Sequence, residues 1–249
     1  MTTAITRRTV LAVGASAALV SGVTPSRAAW PEKPIQLIHG FAAGGNADVI
    51  ARILAEGLSS RLGQPVIVEP KPGAGGRIAA ALTAKGTADG YSLAILPGGH
   101  AIAAAMYDGL PFDTVNDFSF ISMLTDFPFL LVTYPDHPAK SVVDLIARAK
   151  AAPNPLIYGT AGNGTGQHLS GALFASMAGI KLQHLPFRGG SLGSTELLSK
   201  NIDLLFETPT LLLELVRGGQ IRALGVTGKS RFFALPEAEE ASQRRQPPR

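Results

Sequence analysis

The sequence predicts an α/β protein built on parallel strands. Short β-branched, apolar runs alternate with segments of helical periodicity, and the alternation repeats in two successive units. Each unit also contains the same device of strand, glycine turn and helix start, as "GFAAGGNADVIARIL" and "GTAGNGTGQHLSGALF". A glycine-rich turn opening a helix presents unpaired backbone N–H groups to an anion. Two such turns on two lobes would face each other across a cleft and bury a small anion between two helix N-termini.

The first 28 residues read as an export signal, outside the fold. Arg7 and Arg8 form the basic region, "TVLAVGASAALVSGV" the apolar run, and Ser26 and Ala28 the small residues of a cleavage site. The arginine pair and the Gly/Ala-rich run fit a twin-arginine or a Sec signal, and either one implies the periplasm. A membrane anchor needs about 20 consecutive apolar residues, and this run is shorter and richer in small residues. Removing Arg7, Arg8 and Arg27 leaves 19 basic residues against 18 acidic ones, a net charge of +1. No basic run interleaved with aromatics exists, so nucleic acid is not an expected partner. The chain has no cysteine, so a packed core must hold the exported protein together.

In order, "IQLIHGF" (35–41) is the first expected strand, followed by a helix from about Asn46 with Ile50, Ile53, Leu54 and Leu58 on one face. "PVIVE" (65–69) is the second strand, "PKPGAGG" turns the chain into an Ala-rich helix, and "YSLAIL" (91–96) is the third strand. "FPFLLVTYP" (127–135) is a further strand, with a boundary near Tyr134 marked by Pro135 and Pro138. Lobe 1 is then 29–134 and lobe 2 is 135–230. In the second unit Ser141 and Asp144 form a capping arrangement ahead of "LIARAKAA". "LIYG" (156–159), "LQHLPF" (182–187), "IDLLFE" (202–207) and "IRALGVT" (221–227) are its strands, with helices at about 167–178, 192–199 and 209–217.

Several chemistries are excluded by spacing. Neither glycine loop is followed by Gly-Lys-Ser/Thr, so neither is a nucleotide P-loop. Gly162, Gly164 and Gly166 lack the third glycine and the acidic residue of a dinucleotide fingerprint. The five histidines, at 39, 100, 137, 168 and 184, are never closer than 16 residues, and no metal or cofactor is expected. Gly189 to Gly193 match G-x-S-x-G, but no histidine follows Ser191, so the general base of such a hydrolase is missing in chain order. Ser191 is read as an N-cap. Asp48, in the first turn of its helix, offsets the macrodipole and satisfies N–H groups. His168 falls in the first turn of the second loop's helix. Glu207 ends a strand where open α/β sheets bind ligands.

Taken together, "AAGGNAD" (42–48), "GQPVIVEPKPGAGG" (63–76), "YGTAGNGTGQH" (158–168), "HLPFRGG" (184–190) and "GGQIRALGVT" (218–227) resemble the extracytoplasmic solute receptors of tripartite tricarboxylate transporters, the Bug receptors. The likeness runs from "WPEKPIQLI" to "IRALGVTGKSR". It implies a two-lobed, type II periplasmic binding protein fold that closes like a flytrap on a small carboxylate (a di- or tricarboxylate, an amino acid or an aromatic acid). It also implies a monomeric, non-catalytic protein that delivers its solute to membrane permease subunits. Carried onto this chain, the ligand-binding residues are Phe41, Ala43, Gly44, Gly45 and Asp48 in the first loop. The second loop supplies Thr160, Ala161, Gly162, Asn163, Gly164, Thr165 and His168, and Glu207 stands beside them.

This chain departs from the family at Ala42-Ala43, where proline is common, at Glu207, where aspartate is common, and at Arg77, where asparagine is usual. After "RFFALP" the polar "EAEEASQRRQPPR" replaces the segment that returns to the first lobe. Residues 231–249 are therefore expected as an atypical, disordered tail, and the fold as incomplete at its C-terminus. Two alternatives stand beside the receptor: an exported serine hydrolase using Ser191, and a nonfunctional truncated remnant.

Overall fold

The computed structural model describes residues 30–236 and 238–240, so the expected signal at 1–28 lies outside the described residues. The chain divides into two units, 1–32 and 33–249, and the second carries both sheets. In the first sheet β1 (Ile35–His39) lies between β2 (Val66–Pro70) and β3 (Ser92–Ile95), all parallel. Ile35, Leu37, Ile38 and His39 are all buried, as a central parallel strand covered on both faces requires. Helix α1 (Asn46–Leu62) packs on it but presents a different face from the one its isoleucines suggest. Ala47, Ala51 and Ala55 are buried, Leu54 and Leu58 lie half-buried at the flank, and Ile53 is 68% exposed. Alanines at i, i+4 and i+8 let the helix approach the sheet closely, which a stripe of isoleucines would prevent.

A single 3-10 turn (Ala74–Gly76) leads into α2 (Arg77–Ala84), and α3 (Gly99–Met106) follows β3. α3 has no counterpart in the expected element order. Among the described residues the chain passes from the first sheet to the second once, through 107–129, which contains no helix or strand.

The second sheet contains β4 (Leu130–Thr133), β5 (Leu156–Thr160), β6 (Leu182–Pro186), β7 (Leu204–Glu207), β8 (Arg222–Val226) and β9 (Glu239–Glu240), in the order β6-β5-β7-β4-β8-β9. Its pairs are parallel except where β4 runs antiparallel to β7 and β8. The expected lobe boundary at 134 therefore moves: β4 belongs to the second sheet, and the second lobe begins by Leu130. Leu130, Leu131, Val132 and Thr133 are each 0% exposed. Four consecutive buried residues need cover on both faces, which the middle of this sheet provides.

Side-chain alternation sends Leu130, Val132 and Leu205 to one face and Leu131, Leu204 and Phe206 to the other. The first face packs against Leu197 of α6 (Gly190–Leu198) and Leu212 of α7 (Pro209–Arg217). The second packs against Leu145 of α4 (Val142–Ala151) and Phe174 of α5 (Gly166–Ala178). Ser141 caps α4 by accepting from the Asp144 amide, as the sequence suggests. Ser191 is not the cap of α6: Gly189 holds that position, at φ 159° and ψ 159° where side chains are rarely tolerated, and the serine falls within the first turn.

The end of the described chain also departs from expectation. Within the expected tail, Leu235 and Ala238 are 2% and 1% exposed and join the first-face core, and β9 pairs with Gly225 and Val226. Leu235 ends the short run Phe232–Leu235 before Pro236, and Ala238 stands between Glu237 and Glu239, where no periodicity reveals them. Residues 241–249 lie outside the described residues.

The two lobes are unequal. The first has three strands and one core cluster around Ile35, Leu37 and Val66, against six strands and two core clusters in the second. Low burial means low local opening free energy. Amide exchange should accordingly be faster at 35–41 and 65–69 than at 157–159 and 204–207. Equal protection in both lobes would show that the first core is as stable as the second.

Candidate functional site

Four glycine turns, not two, converge between the lobes. The pair singled out in the sequence, 40–45 and 162–166, is joined by Gly73–Gly76 before α2 and by Gly98–Gly99 at α3, each again a turn between strand and helix. A Cβ on Gly75 (φ +63°) would collide with the Asn163 carbonyl oxygen of the opposite lobe. One on Gly99 would stand 3.1 Å from the Gly164 oxygen. The Ala42 amide donates to the Arg188 carbonyl at 3.0 Å, and Ser191 Oγ lies 3.5 Å from the Ala43 oxygen as its donor. The lobes therefore meet main chain to main chain.

Between them lies a cavity of about 160 Å³. Its first-lobe wall is Gly40, the 73–75 turn and Arg77; its second-lobe wall is Ala161–Asn163 and Pro186–Arg188. Of the residues expected from sequence, Ala161, Gly162 and Asn163 line it. Among the described residues the amides of Ala161 and Asn163 make no hydrogen bond. Phe41 lines an adjoining recess with Gly76, Arg77 and His100.

The other expected residues build the loops from behind. Asp48, 3% exposed, accepts from the Gly44 amide at 3.0 Å, from Arg52 Nε at 2.9 Å and from His39 Nε2 at 3.1 Å. The Arg52 guanidinium holds its carboxyl at about 2, with the Gly44 amide and His39 acting in the same direction against burial. Burial lowers the His39 pKa despite the carboxylate, so the contact is a hydrogen bond from a neutral imidazole. Both Asp48 oxygens and the Gly44 amide are thus engaged inside the loop. The Gly45 amide bonds the Ala42 oxygen, and Ala43 faces Ser191.

In the second loop, Thr165 Oγ1 donates to the Gly162 oxygen at 2.7 Å and accepts from the His168 amide at 3.3 Å. His168 Nδ1 accepts from the Gly164 amide at 3.3 Å, so the imidazole receives a backbone hydrogen bond through an unprotonated nitrogen. Its ring stacks on His184, centroids 4.2 Å apart. His184 Nε2 is 2.7 Å from Thr160 Oγ1, whose oxygen accepts from the Gly162 amide. Burial, then the neighbouring His168, lowers His184 to about 4, and burial lowers His168. Both rings are neutral props, and Thr160 Oγ1 joins His184 to the Gly162 carbonyl and amide. Glu207, 1% exposed, accepts from Gln167 Nε2 and the Thr208 amide through Oε1, while Oε2 lies over Gly190 without a partner. Burial raises its pKa.

Arg77, Arg188 and the two further glycine turns are the site residues the sequence reading did not assign. "PGAGGRIAAAL" and "PGGHAIAAAM" carry the same strand–turn–helix signal as the loops that were recognised. Among the described residues, no group of three or more histidines, cysteines or carboxylates is placed to hold a metal ion.

The buried histidines give stability a pH dependence of fixed sign. The unfolded chain protonates His184 near 6.5, whereas the folded chain resists until about 4. The stability it confers is full above 6.5 and is lost as pH falls towards 4, and His39, His137 and His168 act in the same sense. Glu207 acts oppositely, its contribution falling as pH rises above 4.5. Melting curves from pH 7 to 4.5 should therefore fall less steeply in His184→Gln than in the wild type. Equal slopes would show that His184 is not held neutral.

A model of the tripartite tricarboxylate transporter family receptor matches residues 50–244. BugT of Bordetella pertussis is 35% identical over 216 residues, 85% of this chain and 66% of BugT. A UPF0065 protein of the same species is 37% identical over 213 residues, 84% of this chain and 65% of the relative. The chain thus spans about two-thirds of the length of these curated relatives. The structure of the periplasmic binding protein BugD aligns with a TM-score of 0.81 at 30% identity, covering 85% of this chain and 71% of that one. An R. palustris protein solved with adipate gives 0.81 at 32% identity, with the same coverage. The fold is accordingly the two-lobed, type II periplasmic binding protein fold, and the chain belongs to the tripartite tricarboxylate transporter receptor family.

Proposed function

We propose that this chain is a non-catalytic periplasmic receptor that captures a small carboxylate between its lobes and delivers it to the permease subunits of a tripartite transporter. The observation that carries the proposal is the interlobe cavity, lined by two arginines and by Ala161 and Asn163, whose amides are uncommitted. Backbone N–H groups at a glycine turn and guanidinium forks are both carboxylate donors. The relatives support the same reading: one neighbour of known structure was solved with adipate, and MatC of Rhodopseudomonas palustris was solved with bound malate. The twin-arginine or Sec signal expected at 1–28 would place the protein in the periplasm. The ligand contacts lie at Ala161, Gly162 and Asn163, with Phe41 at the adjoining recess. Ala43, Gly44, Gly45, Asp48, Thr160, Gly164, Thr165, His168 and Glu207 hold the two loops in shape.

Hydrolysis by Ser191 has no support in the geometry. Its hydroxyl bonds a carbonyl oxygen, and among the described residues no imidazole reaches it to remove its proton.

Isothermal titration of the purified chain against mono-, di- and tricarboxylates should reveal at least one saturable ligand. A folded sample that binds none of them would overturn the proposal, as would ester turnover abolished by Ser191→Ala. Gly164, at φ +75° with the Tyr107 ring 3.3 Å from an added Cβ, sets the position of the second loop. Gly164→Val should weaken binding about 10-fold, ~1.4 kcal/mol, with the circular dichroism spectrum unchanged. Unchanged affinity in that variant would show the loop to be only a turn.

A further inference from the structure

The geometry points to Arg77 as the residue that makes this site select solutes with a second negative charge. The inference rests on the carboxylate-receptor reading and goes beyond it in assigning a specificity residue and a charge class.

Arg77 is the first residue of α2, where the positive end of the helix disfavours a cation. No carboxylate compensates it: among the described residues the ion pairs involve Lys33, His39, Arg52, Lys71, Arg148, Lys200 and Arg217, and neither Arg77 nor Arg188. The Arg77 guanidinium instead lies over the Tyr107 ring, 3.7 Å from its centroid. That stacking fixes the plane while leaving the edge N–H donors available. Arg77 Nη1 also reaches the second lobe, 3.6 Å from where a Cβ on Gly164 would stand. It therefore projects from one lobe to the anion loop of the other.

Arg77 and Arg188 line the same cavity of about 160 Å³ from opposite lobes, beside the amides of Ala161 and Asn163. One carboxylate suffices for the two amides. Two arginines then remain on the walls of one cavity, neither in an ion pair among the described residues, and their like charges repel. A second carboxylate on the same solute relieves that repulsion and accepts charge-assisted hydrogen bonds. An amino acid would instead bring its ammonium group towards two cations. The volume, below the ~300–1,000 Å³ of sites for drug-sized ligands, suits a solute of few heavy atoms.

The test compares succinate, glutarate and adipate with their monoamides, which keep the shape and remove one charge. Wild-type protein should bind its best dicarboxylate at least about 10-fold more tightly than the matching monoamide. Arg77→Gln should erase most of that ratio by weakening the dicarboxylate about 10-fold and the monoamide less than about 3-fold, while Arg77→Lys retains part of it. Arg188→Gln should lower the same ratio from the opposite wall. A wild-type ratio near one, or an unchanged ratio in folded Arg77→Gln, overturns the assignment while leaving the receptor reading intact. If a folded sample binds neither acids nor monoamides, both fall together.

Discussion

Main chain meets main chain between the lobes, with Gly75 of the first close against Asn163 of the second and Gly99 against Gly164. A side chain at either glycine would hold the lobes apart, and the arrangement of the cleft follows from that. Where main chain meets main chain, amides and carbonyls of one lobe reach the other directly, as Ala42 reaches Arg188. The cavity opens in the seam beside the 73–75 turn, and four of its lining residues are glycines. Side chains with charge enter it from the rim. Glycine is thus used here for closeness as much as for conformation, and the positive φ of Gly75 serves both needs.

Both loops are held in shape by hydrogen bonds within the protein. The carboxylate of Asp48 ties the end of β1, through His39, to the loop amide of Gly44 and to Arg52 on α1. On the other side, Thr160, Thr165, His168 and His184 support the carbonyl and amides of Gly162 and Gly164. A wall whose shape is fixed by internal hydrogen bonds loses little conformational freedom on binding. The polar residues most visible in the sequence are therefore scaffolding, one layer behind the surface that faces the cleft.

Much of the fold was legible in the sequence, and the exceptions have local causes. Eight expected strands appear within one to three residues of their places, because apolar runs bounded by glycine and proline are strong signals. The lobe boundary was misplaced because Pro135 and Pro138 mark a turn after β4 and say nothing of the sheet it joins. The buried face of α1 was misjudged because isoleucines outweigh alanines in any hydrophobicity pattern, whereas close packing prefers the smaller residue. Ala238 was hidden between two glutamates, and Leu235 ends an apolar run too short to show a period. At the site, the glycine loops could be read as anion-facing turns. What composition cannot give is direction: Asp48 turned inwards, Arg77 turned to the cleft, and the imidazoles stacked on each other are facts of tertiary structure.

The single passage of the chain from β3 and α3 to β4 bears on how the molecule assembles. Among the described residues each sheet is drawn from one continuous stretch, so its pairings close comparatively short loops. Residues 35–106 can collapse around Ile35 and Leu37 as synthesis proceeds, before the six-stranded sheet has all its strands. The cleft belongs to neither lobe and forms when they dock. Selection on the solute can therefore act on the seam and its rim with little effect on the folding nucleus of either lobe, so that recognition and foldability evolve along separate stretches of one chain.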